Sequence, residues 1–336
     1  MTMRKTCLAI SIAVPLAAVV IAASPVPRLL DLTGDIGSHD PHIIKAGGAY
    51  YVYSSGGSIL TSKDLHHWTR AGRLFDKLPD WVPGVMPQAR AGTWAPDVAF
   101  FNGKYHCYYT LSVDFSRNSL IGLVTNKTLD PNSPDYQWAD GGLVVRSGGD
   151  TDWNAIDAAP FVEDENNVWL MWGSYWSGIK MHRIDPKTGL FSTANTKLYD
   201  MAVGPRTTSH EIGTGIEGSY MFRHEGYWYL FASLDECCSG DRSTYAVVVG
   251  RSHNVTGPFV DRKGIPMIEG GGSMVIQATT PRWREPGHNS ALHDETGDYF
   301  VFHATPGTIS GITGGSRLFI STIVWEEGWP RVAELP

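Results

Sequence analysis

The sequence predicts an all-β protein built as a five-bladed β-propeller. Three observations lead there. The 336-residue chain is rich in Gly, Trp and Tyr, and only 18% of it is charged; such a composition suits many short strands and turns. No segment sustains a helical period of apolar residues over three turns. Five segments share one layout: a short apolar strand, a polar hairpin turn, an aromatic strand and a third strand. Their aromatic strands begin near residues 50, 105, 168, 227 and 299, and repetition at tens of residues is the mark of a propeller array. A β-sandwich with similar hairpins is the competing architecture. A sandwich has no reason to place a polar residue at the head of every unit, whereas the first strands of a propeller line a central channel.

The chain begins with a separate element. Arg4 and Lys5 precede the apolar run Cys7–Ala23, which ends in small residues. This is the pattern of a signal peptide over residues 1–23, cleaved to leave 24–336 as a single propeller domain. A membrane anchor is the alternative, but the run falls short of the roughly 20 residues that a span prefers. The expectation is a secreted protein, extracellular or periplasmic, with no membrane partner.

Segment one opens at His39-Asp40-Pro41 and runs through HIIKAGGAYYVYSS. Segment two opens at Trp94-Ala95-Pro96-Asp97 and runs through VAFFNGKYHCYYT. Segment three opens at Ile156-Asp157, segment four at Gly213–Gly218 and segment five at Gly287-His288. Their hairpin turns, at Ala46–Ala49, Asn102–Lys104, Glu163–Asn167, Arg223–Gly226 and Asp294–Asp298, carry the residues that tight turns require.

Charge narrows the partners. The net formal charge is −7, and removal of Arg4 and Lys5 makes the mature chain more acidic still. That argues against nucleic acid and suits a neutral substrate. The three cysteines beyond the leader, Cys107, Cys237 and Cys238, give no disulfide framework. Cys107 lies in an aromatic strand and reads as a buried small hydrophobe. Adjacent Cys237 and Cys238 allow a vicinal disulfide, but two free thiols in a turn are the expectation.

The chemistry-bearing residues lie at the segment heads. Asp40, Asp157 and Glu217 each stand about ten residues ahead of their aromatic strand, with His288 at the same offset in segment five. If the segments are blades, these side chains meet at one mouth of the channel. Such a set suits glycosidic-bond cleavage: one carboxyl must donate a proton to the leaving oxygen, and another must be ionised to activate water or attack. A third carboxylate raises its neighbour's pKa by like-charge repulsion.

The sequence resembles glycoside hydrolase family 43, and within it the endo-acting arabinan 1,5-α-L-arabinosidases. HDPHII (39–44), WAPDV (94–98), NAID (154–157), GTGIEG (213–218), the LDECCSGDRSTY run (234–245), GHNS (287–290) and the closing W-x-x-GWP (325–330) carry the resemblance. It spans nearly all of the chain beyond the leader, in order. It implies an inverting hydrolase of arabinan with Asp40 as general base, Glu217 as general acid and Asp157 as the carboxylate that tunes and orients the acid. An inverting site holds base and acid about 6.5–9.5 Å apart to admit water. The resemblance also implies that His288 helps to hold a metal ion, usually calcium, largely through waters. It places Trp94 and Phe115 at the substrate, with Asn154, Ser174 and Trp176 as further candidates. The chain departs from the family pattern at Ala158, Gly218 and Ser219, which touch the cleft lining but remove no carboxylate.

The expected function is therefore endo-hydrolysis of arabinan by a monomer. An exo-acting α-L-arabinofuranosidase or β-xylosidase of the same family is the first alternative, and a non-catalytic sugar-binding propeller the second. No phosphate loop, dinucleotide fingerprint or Gly-x-Ser-x-Gly elbow competes.

Overall fold

A computed structural model describes residues 25–336, apart from 90–91, 206–208, 211–212 and 313. Residues 1–23, expected to be a signal peptide, lie outside the described residues. Among those described, no helix is long and apolar enough to cross a membrane.

The five segments are five blades. Blades 1 to 4 are antiparallel sheets whose innermost strands are His42–Ala46, Trp94–Phe101, Ala159–Asp164 and Ile216–His224. Blade 5 pairs Trp283–Asp294, Gly297–Pro306 and Arg317–Thr322. Each innermost strand neighbours the next, and blade 5 returns to blade 1, so the strands close a ring around one channel.

Hydrophobic burial holds the ring. The alternation of each strand presents side chains to both faces of a blade, and each face packs on a neighbouring blade. One apolar cluster fills each of the five interfaces. The aromatic strands supply these clusters: Tyr53, Tyr109, Trp172, Tyr229 and Phe300 are all fully buried. Trp169, Trp172 and Trp228 belong to blade packing, as their place in the aromatic strands suggests.

Ring closure uses a device that the repeat pattern does not display. Blade 5 lacks a fourth strand after Thr322, and the segment before blade 1 takes its place. Leu30 N donates to Ile320 O at 2.8 Å, Leu318 N to Ile36 O at 2.8 Å and Thr322 N to Arg28 O at 2.9 Å. The same segment pairs Thr33–Gly34 in parallel with His67 and Trp68, on the outermost strand of blade 1. Leu30, Leu32 and Ile36 cover the core between blades 1 and 5, against Trp68, Leu318 and Ile320.

Placing two charges in that seam should open it. Leu30→Asp with Ile36→Asp is expected to cost about 2–4 kcal/mol, measured by calorimetric unfolding. The exposed Val26 serves as control. A loss no larger than that of Val26→Asp would show that the segment does not close the ring.

Candidate active site

A repeated backbone turn builds the channel mouth. Asp40, Ala95, Asp157, Gly218 and His288 all have positive φ, at 53°, 37°, 58°, 54° and 46°. Strand register shows that they are equivalent. Each stands two residues ahead of His42, Asp97, Ala159, Tyr220 or Ser290, which open the regular pairing of their blades. A left-handed residue there turns the chain into the channel before the strand begins. For a non-glycine residue this costs roughly 1–2 kcal/mol, and Asp and His tolerate it better than most.

This register corrects one expectation. Glu217 does not share the position of Asp40 and Asp157; Gly218 does, and Glu217 precedes it. The bulge between Glu217 and Tyr220 recurs at Trp94/Asp97 and at Gly287/Ser290, so Glu217 is in register with Trp94 and Gly287. Glycine is required at 218 for space as well: a Cβ would lie 3.1 Å from the His288 ring.

The carboxylates gather around His288. Its Nδ1 lies 3.1 Å from Asp40 Oδ1, and its backbone amide donates to Ser233 Oγ at 2.8 Å. Asp40 is held from all sides. Ser55 Oγ donates to its Oδ2 at 2.5 Å. His303 Nδ1 accepts its amide proton at 2.9 Å, which places the His303 proton on Nε2. His39 Nε2 lies 3.6 Å from Oδ1 and the His39 ring stacks on His303. Asp157 Oδ2 accepts from the Gly218 amide at 3.2 Å, while the Asp157 amide donates to Thr110 Oγ1 at 3.2 Å. Glu217 Oε2 accepts from Ser174 Oγ at 2.7 Å. The Tyr245 hydroxyl is buried beside these carboxylates.

These surroundings pull the three carboxyls apart. Burial alone would raise Asp40, but His39 and His288 outweigh it and hold the carboxyl well below the usual range. Burial pushes Asp157 up to about 7, opposed by His288 and reinforced by Glu217 and Asp40. Burial is also the leading cause that raises Glu217, against the Ser174 hydrogen bond and His288. For His288 burial opposes the charge, yet Asp40, Asp157 and Glu217 outweigh it and lift it to about 10. Near neutral pH the site therefore holds an ionised Asp40, a charged His288 and a Glu217 with an elevated proton affinity.

The substrate candidates fall into two groups. Trp94 and Phe115 stand on the catalytic face, because Trp94 opposes Thr110 beside the hairpin that carries Phe115. Phe115 is 94% exposed. Trp176 lies on the same face in blade 3, with the Arg117 guanidinium 5.8 Å from its ring. The other two are engaged inside the protein. Asn154 is buried and its Oδ1 accepts from Ser119 Oγ at 2.7 Å. Ser174 is buried and spends its hydroxyl on Glu217.

Two features were not legible in the sequence. His303 is fully buried against Asp40. Cys237 and Cys238 are joined in a disulfide rather than free, because the turn that carries them brings the adjacent sulfurs together. His39 could have been found, since it adjoins Asp40 in the first motif. Nothing local marks His303 or Tyr245.

Beneath the carboxylates the channel narrows to a cavity of about 10 Å³, lined by Asp40, Asp97, Asp157, Ser219, His288 and Asn289. That is room for about one water or ion. Ser219 Oγ and both polar atoms of the Asn289 side chain are buried there without partners. Hard oxygen donors beside carboxylates are the donor set that calcium takes.

A propeller with an ionised carboxylate and carboxyls of raised proton affinity at one channel mouth fits the glycosidase class. More particularly, the chain belongs to glycosyl hydrolases family 43, whose profile matches residues 35–330. It is 38% identical over 305 residues to an extracellular exo-α-(1→5)-L-arabinofuranosidase of Cellvibrio japonicus, across 88% of this chain and 86% of that protein. An extracellular endo-α-(1→5)-L-arabinanase of Bacillus subtilis is 34% identical over 298 residues, across 87% and 86%. The structure of Cellvibrio cellulosa α-L-arabinanase complexed with arabinohexaose superposes with a TM-score of 0.81 at 34% identity, covering 92% of this chain and 100% of that one.

Ser174 gives a test of the Glu217 environment. A hydrogen bond to the ionised form lowers a carboxyl's pKa, so Ser174→Ala should raise that of Glu217. The alkaline limb of the kcat/KM profile, which reports an essential acid in the free enzyme, should move to higher pH. A limb that stays in place or moves down would show that Ser174 does not govern the acid.

Proposed function

We propose that this glycoside hydrolase cleaves α-1,5-linked L-arabinan inside the chain, with inversion, as a secreted monomer. The observation that carries the reading is the split of carboxyl environments around His288. Asp40, kept ionised, removes a proton from the attacking water. Glu217, whose proton affinity burial raises, delivers its proton to the leaving oxygen. Asp157 sits by the Gly218 amide, and so steadies the turn that presents Glu217. Trp94, Phe115 and Trp176 offer aromatic faces on which sugar CH groups pack. The Bacillus relative and the arabinohexaose complex support arabinan as substrate, and the extracellular relatives support secretion.

Exo-action on the same linkage is the second reading, favoured by the Cellvibrio japonicus relative. Product analysis on debranched arabinan separates the two: endo-action gives a ladder of oligosaccharides and a rapid fall in viscosity, whereas exo-action gives one small product throughout. Asp40→Ala and Glu217→Ala should each lose about 10²–10⁴-fold in turnover on arabinan with the fold intact. Glu217→Ala should recover on aryl glycosides, whose leaving groups need no proton. Wild-type turnover of Glu217→Ala on arabinan would falsify the acid assignment.

The donor set of the channel cavity supports a bound calcium ion with Ser219 and Asn289 nearby, held largely through waters by His288 once calcium has displaced the proton of its imidazolium. When bound, calcium supplies positive charge beside the carboxylates. Chelation should lower activity and calcium should restore it, with metal content measured by atomic emission. Full activity in a metal-free preparation would remove calcium from the reading.

A further inference from the structure

The Cys237–Cys238 disulfide stands on the catalytic face. It lies in the loop between strands Tyr227–Leu234 and Ala246–Ser252, at the end of blade 4 where Glu217 pairs with Ser233. The loop reaches across the mouth to blade 1, where Cys238 Sγ lies 3.7 Å from His39 Nε2. That nitrogen is also 3.6 Å from Asp40 Oδ1. The other His39 nitrogen is bonded to Ser316 Oγ at 2.8 Å, and the ring stacks on His303 at 4.1 Å. His39 is thus wedged between the disulfide and Asp40.

The protein fixes the disulfide deliberately. Glu285 is buried, has a left-handed backbone and accepts the Cys238 amide proton on Oε2 at 2.8 Å. Tyr175 OH donates to Asp235 O at 3.1 Å and Ser243 Oγ to Glu236 O at 2.6 Å, pinning the flanks of the loop. A buried carboxylate spent on one loop amide points to a demand for position at Cys238.

We propose that the Cys237–Cys238 disulfide is a positioning element of the reaction, which holds His39 in place against Asp40 and makes turnover depend on the oxidised state of the pair. It rests on Asp40 as the base proposed above. Reduction lengthens the reach of both side chains and frees two thiols, so His39 loses the wall on its outer side. A misplacement of about 1 Å at a reacting group can cost on the order of 10²-fold.

The test reduces the full-length folded enzyme with a water-soluble phosphine. The S–S bond breaks, two thiols form, and the phosphine takes oxygen from one water to become its oxide. Turnover on arabinan oligosaccharide should fall about ten- to hundredfold in kcat, with KM within about twofold. Reoxidation should restore it, and the double variant Cys237→Ser with Cys238→Ser should show the same loss and no response to phosphine. In His39→Gln the disulfide should no longer matter, because two residues acting through one contact are not additive. Circular dichroism follows the folded fraction in parallel. An unchanged kcat on reduction overturns the proposal, as does a loss matched by unfolding or one that adds fully to that of His39→Gln. Asp40→Asn tests the underlying base assignment by itself: if it stays active, that reading fails whatever the disulfide does.

Discussion

Three carboxyls buried in one channel mouth would repel one another, and the site depends on the cation that prevents it. His288 lies against Asp40 at 3.1 Å and is charged through the combined pull of Asp40, Asp157 and Glu217. A buried charge without a partner is costly, whereas a paired one is tolerated. The pairing is also unequal. His288 points its Nδ1 at Asp40, so Asp40 keeps the negative charge, while burial leaves Asp157 and Glu217 with raised proton affinities. One imidazolium thereby separates the proton affinities of neighbouring carboxyls within a single pocket.

The backbone makes this pairing possible. Five equivalent residues turn left-handed at the channel mouth, and three of them are Asp40, Asp157 and His288. Each is strained at a point where the side chain must face the channel, the place where strain is most often retained. The remaining two positions serve differently. Ala95 donates its amide to Ser55 Oγ, which in turn donates to Asp40. Gly218 leaves room for the His288 ring and gives its amide to Asp157. Two bonded groups result, Ala95–Ser55–Asp40–His288 and Gly218–Asp157, although their members come from distant parts of the chain.

Burial also changes the account of Glu217. Like-charge repulsion from a third carboxylate is an obvious way to raise a carboxyl's pKa. For Glu217 burial leads, with Asp40 a lesser contributor. The burial of Glu217 matters more than the number of neighbouring negative charges, even against the Ser174 hydrogen bond that lowers its proton affinity.

By itself, the sequence determined the five-bladed architecture, because strand periodicity, turn residues and aromatic content are local and repeat with each blade. The positions of Asp40, Asp157 and His288 were legible for the same reason: they recur at one offset from a recognisable strand. Tertiary structure alone decided what the repeat could not carry. That Glu217 stands one residue ahead of the position of Asp40 and Asp157 shows only in cross-strand register. Blade 5 is completed by the segment before blade 1, a pairing between opposite ends of the chain. His303 enters the site from the second strand of blade 5 and Tyr245 from the residue just before the third strand of blade 4, and neither carries a local mark of its neighbours. The disulfide follows the same logic. Two adjacent cysteines say little until a folded loop brings their sulfurs together and sets them against His39.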